Sequence, residues 1–217
     1  MSFGQFDRTI LQKQAWARAA VAHADVPRLD WETVGRVLGS KPAPDVLVVA
    51  QGKLLHCRAP RNLAQLRALL QRGIGLCVRH SERHDQRLAE VTQSLVSCFG
   101  RSVQLQLFVT PGKTHGFSWH YDAEDVFIVQ TAGIKDYYFR KNTVDPRPPN
   151  GSRPDFTRFH REVSPLQTAR LIAGDCLYIP SRWWHMAECI EDSLSMSFGV
   201  SEPPPAAVMQ WRNVGQQ

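Results

Sequence analysis

Nowhere in this chain do about 18 apolar residues follow one another without interruption, which leaves no candidate for a membrane-crossing helix. Met1 leads into Ser2-Phe3-Gly4-Gln5, with no basic stretch ahead of an apolar run, so no secretory leader is read and a cytoplasmic protein is expected. The cysteines lack any CxxC pair and are odd in number: Cys57, Cys77, Cys98, Cys176 and Cys189. Most sit in apolar runs such as Ile74-Gly75-Leu76-Cys77-Val78, so they read as reduced, mostly buried thiols rather than a disulfide framework or a zinc knuckle. Internal repeats and motifs that read bases or phosphates are also missing. A formal charge of +6 and a pI near 9.3 rest on dispersed arginines, so a modestly basic solvated surface is expected and a nucleic-acid partner is not.

What the chain does contain suits one globular domain: 217 residues, 43% hydrophobic and 21% charged. Ile10, Leu11, Trp16, Ala20 and Val21 recur at threes, fours and fives and predict an amphipathic helix over 5–25. A short helix follows from Asp30 to Leu38, and Lys41-Pro42-Ala43-Pro44 breaks it before a strand at Val46–Val49. Helices are predicted again at 63–70 and 87–99, with a strand at 73–78 between them. From Val103 the apolar period becomes two, with Leu105 and Leu107 alternating against Gln104 and Gln106. A strand pair is expected at 119–131 and 134–139, hinged at Gly133, then strands at 171–172 and 176–179 about the Gly174-Asp175 turn, and another at 193–200. The 142–159 connection, rich in Pro, Asn, Gly and Arg, is long enough to read as either a disordered segment or a functional lid carrying Arg147, Arg153 and Arg158. Helices first and short strands afterwards point to a mainly β fold, an antiparallel barrel or sandwich with an N-terminal helical layer.

The chemistry concentrates in Trp119-His120-Tyr121-Asp122. In a strand, residues two apart project from one face, so His120 and Asp122 can share an ion. Two histidines and one carboxylate on one face of a metal leave three octahedral positions open, as non-heme iron(II) oxygenases require. His185, in Ile179-Pro180-Ser181-Arg182-Trp183-Trp184-His185, is the best third ligand; His23, His56, His80, His84, His115 and His160 lack a strand end set among aromatic residues. An isolated His-x-Asp is more often an ordinary hydrogen-bonded pair, so the motif draws its weight from His185 and from Lys135.

Lys135 lies in an aromatic and aliphatic strand, where it either reaches solvent, pairs with Asp136, or holds an anion. The distal carboxylate of 2-oxoglutarate is the anion that fits. Ser195, Ser197, Gln104 and Gln106 alternate on strands that could add donors, with Ser197 and Gln106 as candidate co-substrate contacts beside Lys135.

These residues resemble the cupin-type JmjC oxygenases, a family that includes asparaginyl and ribosomal-protein hydroxylases. The similarity runs, in order, through Thr110-Pro111-Gly112, His120-Tyr121-Asp122, Asp125-Val126-Phe127-Ile128-Val129-Gln130, Gly133-Ile134-Lys135 and Gly174-Asp175-Cys176-Leu177-Tyr178-Ile179-Pro180, then Trp183-Trp184-His185. The resemblance implies a single domain over 1–217: a double-stranded β-helix core (74–200), N-terminal support (1–70) and a tail (201–217). It implies Fe(II) on His120, Asp122 and His185, 2-oxoglutarate on Lys135, and hydroxylation of a peptide, protein or amino-acid-like small molecule with release of succinate and CO2. Two departures stand out: Phe117 where some relatives carry a hydroxyl, and Val126 where some carry an amide. The chain also ends at Gln217, without the long C-terminal extension of the ribosomal-protein hydroxylases, which turns the expectation away from a ribosomal substrate. A non-catalytic cupin sensor or scaffold, or a cupin dioxygenase independent of 2-oxoglutarate, are the competing expectations.

Overall fold

The computed structural model describes residues 3–20, 29–147 and 155–201. Two antiparallel sheets face each other, with helices on the outer face of the larger one. The larger sheet contains β1 (Trp16–Arg18), β2 (Asp45–Ala50), β3 (Lys53–Leu55), β4 (Gly75–Arg79), β5 (Val103–Thr110), β6 (Asp125–Ala132), β9 (Cys176–Ile179) and β11 (Ser193–Val200), in the order β1-β9-β6-β11-β5-β4-β2-β3. The smaller contains β7 (Lys135–Arg140), β8 (Gln167–Leu171) and β10 (Trp184–Cys189), in the order β10-β7-β8. The mainly β architecture with a helical layer agrees with the sequence reading.

Alternation explains why each sheet is two-faced. Along β5 and β11, Leu105, Leu107, Val109, Leu194, Met196, Phe198 and Val200 point outward into an apolar layer formed with α2 (Trp31–Gly39), α3 (Leu63–Leu70) and α4 (Gln86–Phe99). Asp30, Asn62 and Asp85 cap these helices by accepting from backbone amides of their first turns, so the ends are defined by side chains present in the sequence. The opposite faces of the strands look into the space between the sheets, where Val126, Ile128, Tyr137, Phe139, Leu177, Ile179 and Trp183 cluster. β11 runs between β5 and β6, placing Ser197 opposite both Gln106 and Ile128. That central position puts the Ser195-x-Ser197 face at the floor of the barrel.

Three expectations are corrected. The helix predicted over 5–25 is a short α1 (Phe3–Thr9) followed by a turn and β1, while residues 21–28 lie outside the described region. Tertiary partners win over the helical period here: Trp16–Arg18 pair with Tyr178–Cys176, the Gln12 amide donates to the Tyr178 hydroxyl, and Phe6, Ile10 and Leu11 pack on Tyr178. Residues 119–122 are not a strand, since β6 begins only at Asp125. Third, the strands expected as a pair about Gly133 do not pair with each other: β6 pairs with β9 and β11 in the large sheet and β7 with β8 and β10 in the small one, so the chain passes from one sheet to the other at Gly133, as it does again at Gly174-Asp175 between β8 and β9. Gly133 is needed where it is expected, since at φ +70 any Cβ would collide with the backbone of Asp192 and Ser193.

One buried charge ties these layers together. Asp125 is fully buried and accepts from the Tyr178 hydroxyl (2.7 Å), the Ser181 amide (3.2 Å) and Gln12 Nε2 (3.3 Å), with Arg101 Nη1 at 3.5 Å. Asp125→Ala removes the acceptor of the buried Tyr178 phenol and the carboxylate partner of Arg101, whose Nη1 keeps only the Ser201 carbonyl among the described residues, and costs about 3 to 5 kcal/mol. At this chain length that is a fall in Tm of roughly 10 °C by thermal denaturation, with a smaller fall for Asp125→Asn, which keeps one acceptor oxygen.

Candidate metal centre

His120 and His185 meet across an isolated bridge between the 119–122 segment and β10. The His120 amide donates to the His185 carbonyl (3.1 Å) and the His185 amide to the His120 carbonyl (2.8 Å). The two imidazole centroids consequently stand 4.2 Å apart. Asp122 is brought in by the turn before β10, where the Arg182 amide donates to its carbonyl at 2.7 Å. Its Oδ2 lies 4.0 Å from His120 Nε2 and 3.5 Å from His185 Nε2, and the three donor atoms all fall within 4.8 Å of one another. Among the described residues this is the one group of three or more His, Cys, Asp or Glu side chains that could hold a metal ion. His120 and Asp122 thus converge, although backbone hydrogen bonds to residues distant along the same chain, rather than a regular strand, align them.

Each imidazole is oriented by its other nitrogen. His120 Nδ1 lies 2.7 Å from the Ser118 carbonyl and His185 Nδ1 3.0 Å from the Trp183 carbonyl. A carbonyl can only accept, so each Nδ1 carries a proton, and each Nε2 is the atom turned toward the shared centre, with a lone pair to offer when the ring is neutral. Burial, reinforced by His185, pushes the His120 imidazole down to about 4, leaving it neutral at physiological pH. Burial alone would raise Asp122, but the His185 and His120 imidazoles beside it outweigh that and hold the carboxyl at about 2. Burial also disfavours charge on His185, yet the Asp122 carboxylate prevails and raises it. The arrangement is a negative charge held between two nitrogen donors, one side of which faces a cavity.

That cavity is the space between the sheets. His120, Asp122 and His185 lie in its wall together with Lys135, Gln106 and Ser197. Lys135, on β7, is only 3% exposed; its Nζ donates to Ser195 Oγ at 3.1 Å and stands 5.9 Å from the Phe108 ring centroid. Burial pushes its ammonium down. The two alternative fates of Lys135 do not occur: it does not reach solvent, and Asp136 is taken by Arg170 in a two-pronged pair at 2.7 Å each. Among the described residues no carboxylate lies within ion-pair distance of Nζ. A buried ammonium with a single hydroxyl partner lacks a counter-ion among the described residues. Gln106 uses its carbonyl to accept from the Cys77 thiol at 3.2 Å, and Gln104 does not line the cavity.

Thr110, Glu124 and Tyr137 also line the cavity, and none of the three is among the site residues that the sequence suggests. The signal for Tyr137 was available, since it stands two residues from Lys135 on one alternating strand. Phe117 and Val126, the two departures from the family pattern, are both in the cavity wall, where Thr110, Tyr137 and Ser195 supply hydroxyls from other strands. Of the aromatic residues flanking the ligands, Trp183 packs between the sheets, whereas Trp184 is buried on the other face of β10. The cysteines carry no disulfide; Cys77, Cys176 and Cys189 are buried and Cys57 and Cys98 exposed.

Residues 78–208 match the family model described as the JmjC domain. Chicken ribosomal oxygenase 1 is 32% identical over 107 residues, covering 48% of this chain and 17% of that protein. The Dictyostelium discoideum bifunctional lysine-specific demethylase and histidyl-hydroxylase NO66 is 32% identical over 114 residues, covering 52% of this chain and 22% of that one. The chain therefore matches about a fifth of the length of these curated relatives. Among solved structures, Escherichia coli YcfD superposes with a TM-score of 0.66 at 18% identity, over 94% of this chain and 54% of that one. The same protein, a ribosomal oxygenase, in complex with cobalt and 2-oxoglutarate, superposes with a TM-score of 0.64 at 17% identity, over 94% and 52%.

Proposed function

Since the chain belongs to the JmjC domain family, we propose that it is an Fe(II)- and 2-oxoglutarate-dependent oxygenase that hydroxylates a carbon of a peptide or protein side chain. The observation that carries this reading is one cavity containing both a two-histidine, one-carboxylate group and a buried lysine with no carboxylate partner among the described residues. His120, Asp122 and His185 would hold the metal, and their donor set fits it: two imidazole nitrogens and one carboxylate suit iron(II) and leave positions free. Iron, when bound, supplies the activation of dioxygen and of the 2-oxo acid, with succinate and CO2 as co-products.

The chain's own residues bind, orient and exclude water. Lys135 would pair with the distal carboxylate of 2-oxoglutarate, with Ser195 already hydrogen-bonded to its ammonium and Ser197 and Gln106 beside it. The Ser118 and Trp183 carbonyls keep both imidazole protons on Nδ1. Phe117, Val126 and Ile128 line the cavity with apolar surface, which keeps water scarce near the reacting carbon. A protein substrate is favoured by the relatives' names, ribosomal oxygenase and histidyl-hydroxylase, over a free amino acid.

Purified protein with Fe(II), ascorbate and oxygen is expected to convert 2-oxoglutarate to succinate, faster in the presence of a cell-extract peptide pool. Absence of both succinate formation and 2-oxoglutarate binding would leave a non-catalytic metal-binding cupin as the reading.

A further inference from the structure

The residues that alternate with the ligands form a layer of their own. Trp119 precedes His120, Tyr121 separates His120 from Asp122, and Trp184 precedes His185. Tyr121 and Trp184 meet edge to face at 4.9 Å and 81°. What covers this layer comes from the far end of the 142–159 connection: Phe159, on α5 (Phe156–Phe159), lies 4.7 Å from Trp119 and 5.3 Å from Trp184 by ring centroid.

Glu162 closes the arrangement. It is 8% exposed and both of its oxygens are engaged. Oε1 accepts from Trp184 Nε1 at 3.1 Å and from the Val144 amide at 3.4 Å, and Oε2 accepts from the Thr143 amide at 2.6 Å and from the Thr143 hydroxyl. One carboxylate therefore binds the two ends of the connection to each other and to the residue next to a ligand. Trp184 is 1% exposed, so its indole N–H has no water to turn to if Glu162 is lost.

We infer that Glu162 is a positioning residue for the metal centre, setting the orientation of His185 through the Trp184 indole. The inference rests on the metal reading proposed above. Outer groups that orient ligands typically govern metal affinity by about 10- to 100-fold, because a ligand that must be reoriented on binding costs free energy at that moment.

The test is anaerobic titration of the full chain with Co(II) alone, following the visible d–d bands and the Kd, with thermal melts to normalise the folded fraction. Glu162→Ala and Trp184→Phe, which retains the ring but not the donor, should each weaken Co(II) binding at least about tenfold and shift the visible band. The double variant should add little beyond either single change, and Glu162→Gln, whose amide oxygen can still accept from the indole, should recover part of the loss. A merely structural role lowers Tm and leaves the Kd and the spectrum of the folded fraction unchanged, which would overturn the inference. So would a wild-type spectrum and Kd in Trp184→Phe alongside a defect in Glu162→Ala, since Glu162 would then act on the connection and not through the indole. Wild-type protein that takes up no Co(II), in the manner of a His120→Ala control, would overturn the metal reading and this inference with it.

Discussion

His120→Ala is expected to abolish the proposed metal-dependent 2-oxoglutarate turnover, with succinate formation falling by at least about 100-fold. The size of the effect follows from the geometry. His120 and His185 are opposed across a single bridge and share Asp122 Oδ2 within 4.0 Å, so removing one imidazole leaves two donors where three are needed to hold the ion. His185→Ala and Asp122→Ala should behave alike, because no other described His, Cys, Asp or Glu is placed to take over. The fold should survive: His120 is partly exposed, and its removal takes away no core packing. The measurement is succinate per folded enzyme with Fe(II), together with Co(II) uptake. Near-wild-type turnover in His120→Ala would remove His120 from the centre.

Lys135→Met gives the second large effect, and it has two opposite signs. Binding of 2-oxoglutarate weakens at least about 30-fold, the lower end of what is lost when one member of a buried, hydrogen-bonded charge pair is removed. In the absence of co-substrate the same change leaves stability unaltered or raises it, since a buried ammonium whose one hydrogen-bond partner is a serine hydroxyl is a cost to the fold. Isothermal titration with 2-oxoglutarate and thermal melts of the ligand-free protein read the two halves separately. A lysine present for structure predicts the reverse pattern, with lowered Tm and unchanged co-substrate affinity.

Much of the fold was legible because its strands are buried on both sides of an alternating pattern. Gln104, Gln106 and Phe108 against Leu105, Leu107 and Val109 mark β5 as lying between a polar cavity and an apolar helical layer, and Ser193–Val200 reads the same way. The helices at Leu63–Leu70 and Gln86–Phe99 stand within a residue of where the sequence predicts them, and Asn62 and Asp85 cap them in the structure. The N-terminal segment was not legible, since its apolar residues at mixed spacing satisfy a helix and a turn plus edge strand equally. Pairing with β9 decides between them.

The candidate centre divides along a similar line. Residue types and order along the chain, His120-x-Asp122, Lys135 and His185, are properties of the sequence, and so is the alternation that sets Trp119, Tyr121 and Trp184 apart from the ligands. Convergence is not. The 119–122 segment owes its alignment to backbone hydrogen bonds with residues about 60 positions away, to His185 and Arg182. The isolation of Lys135 depends on Arg170 claiming Asp136 from the neighbouring strand, and the grip of Glu162 on Trp184 joins residues 22 apart. Side-chain chemistry and local period are written residue by residue, so the sequence alone determined the inventory of donors and most strands; which donors share a cavity, and what stands behind them, is decided by long-range pairing that only the tertiary structure displays.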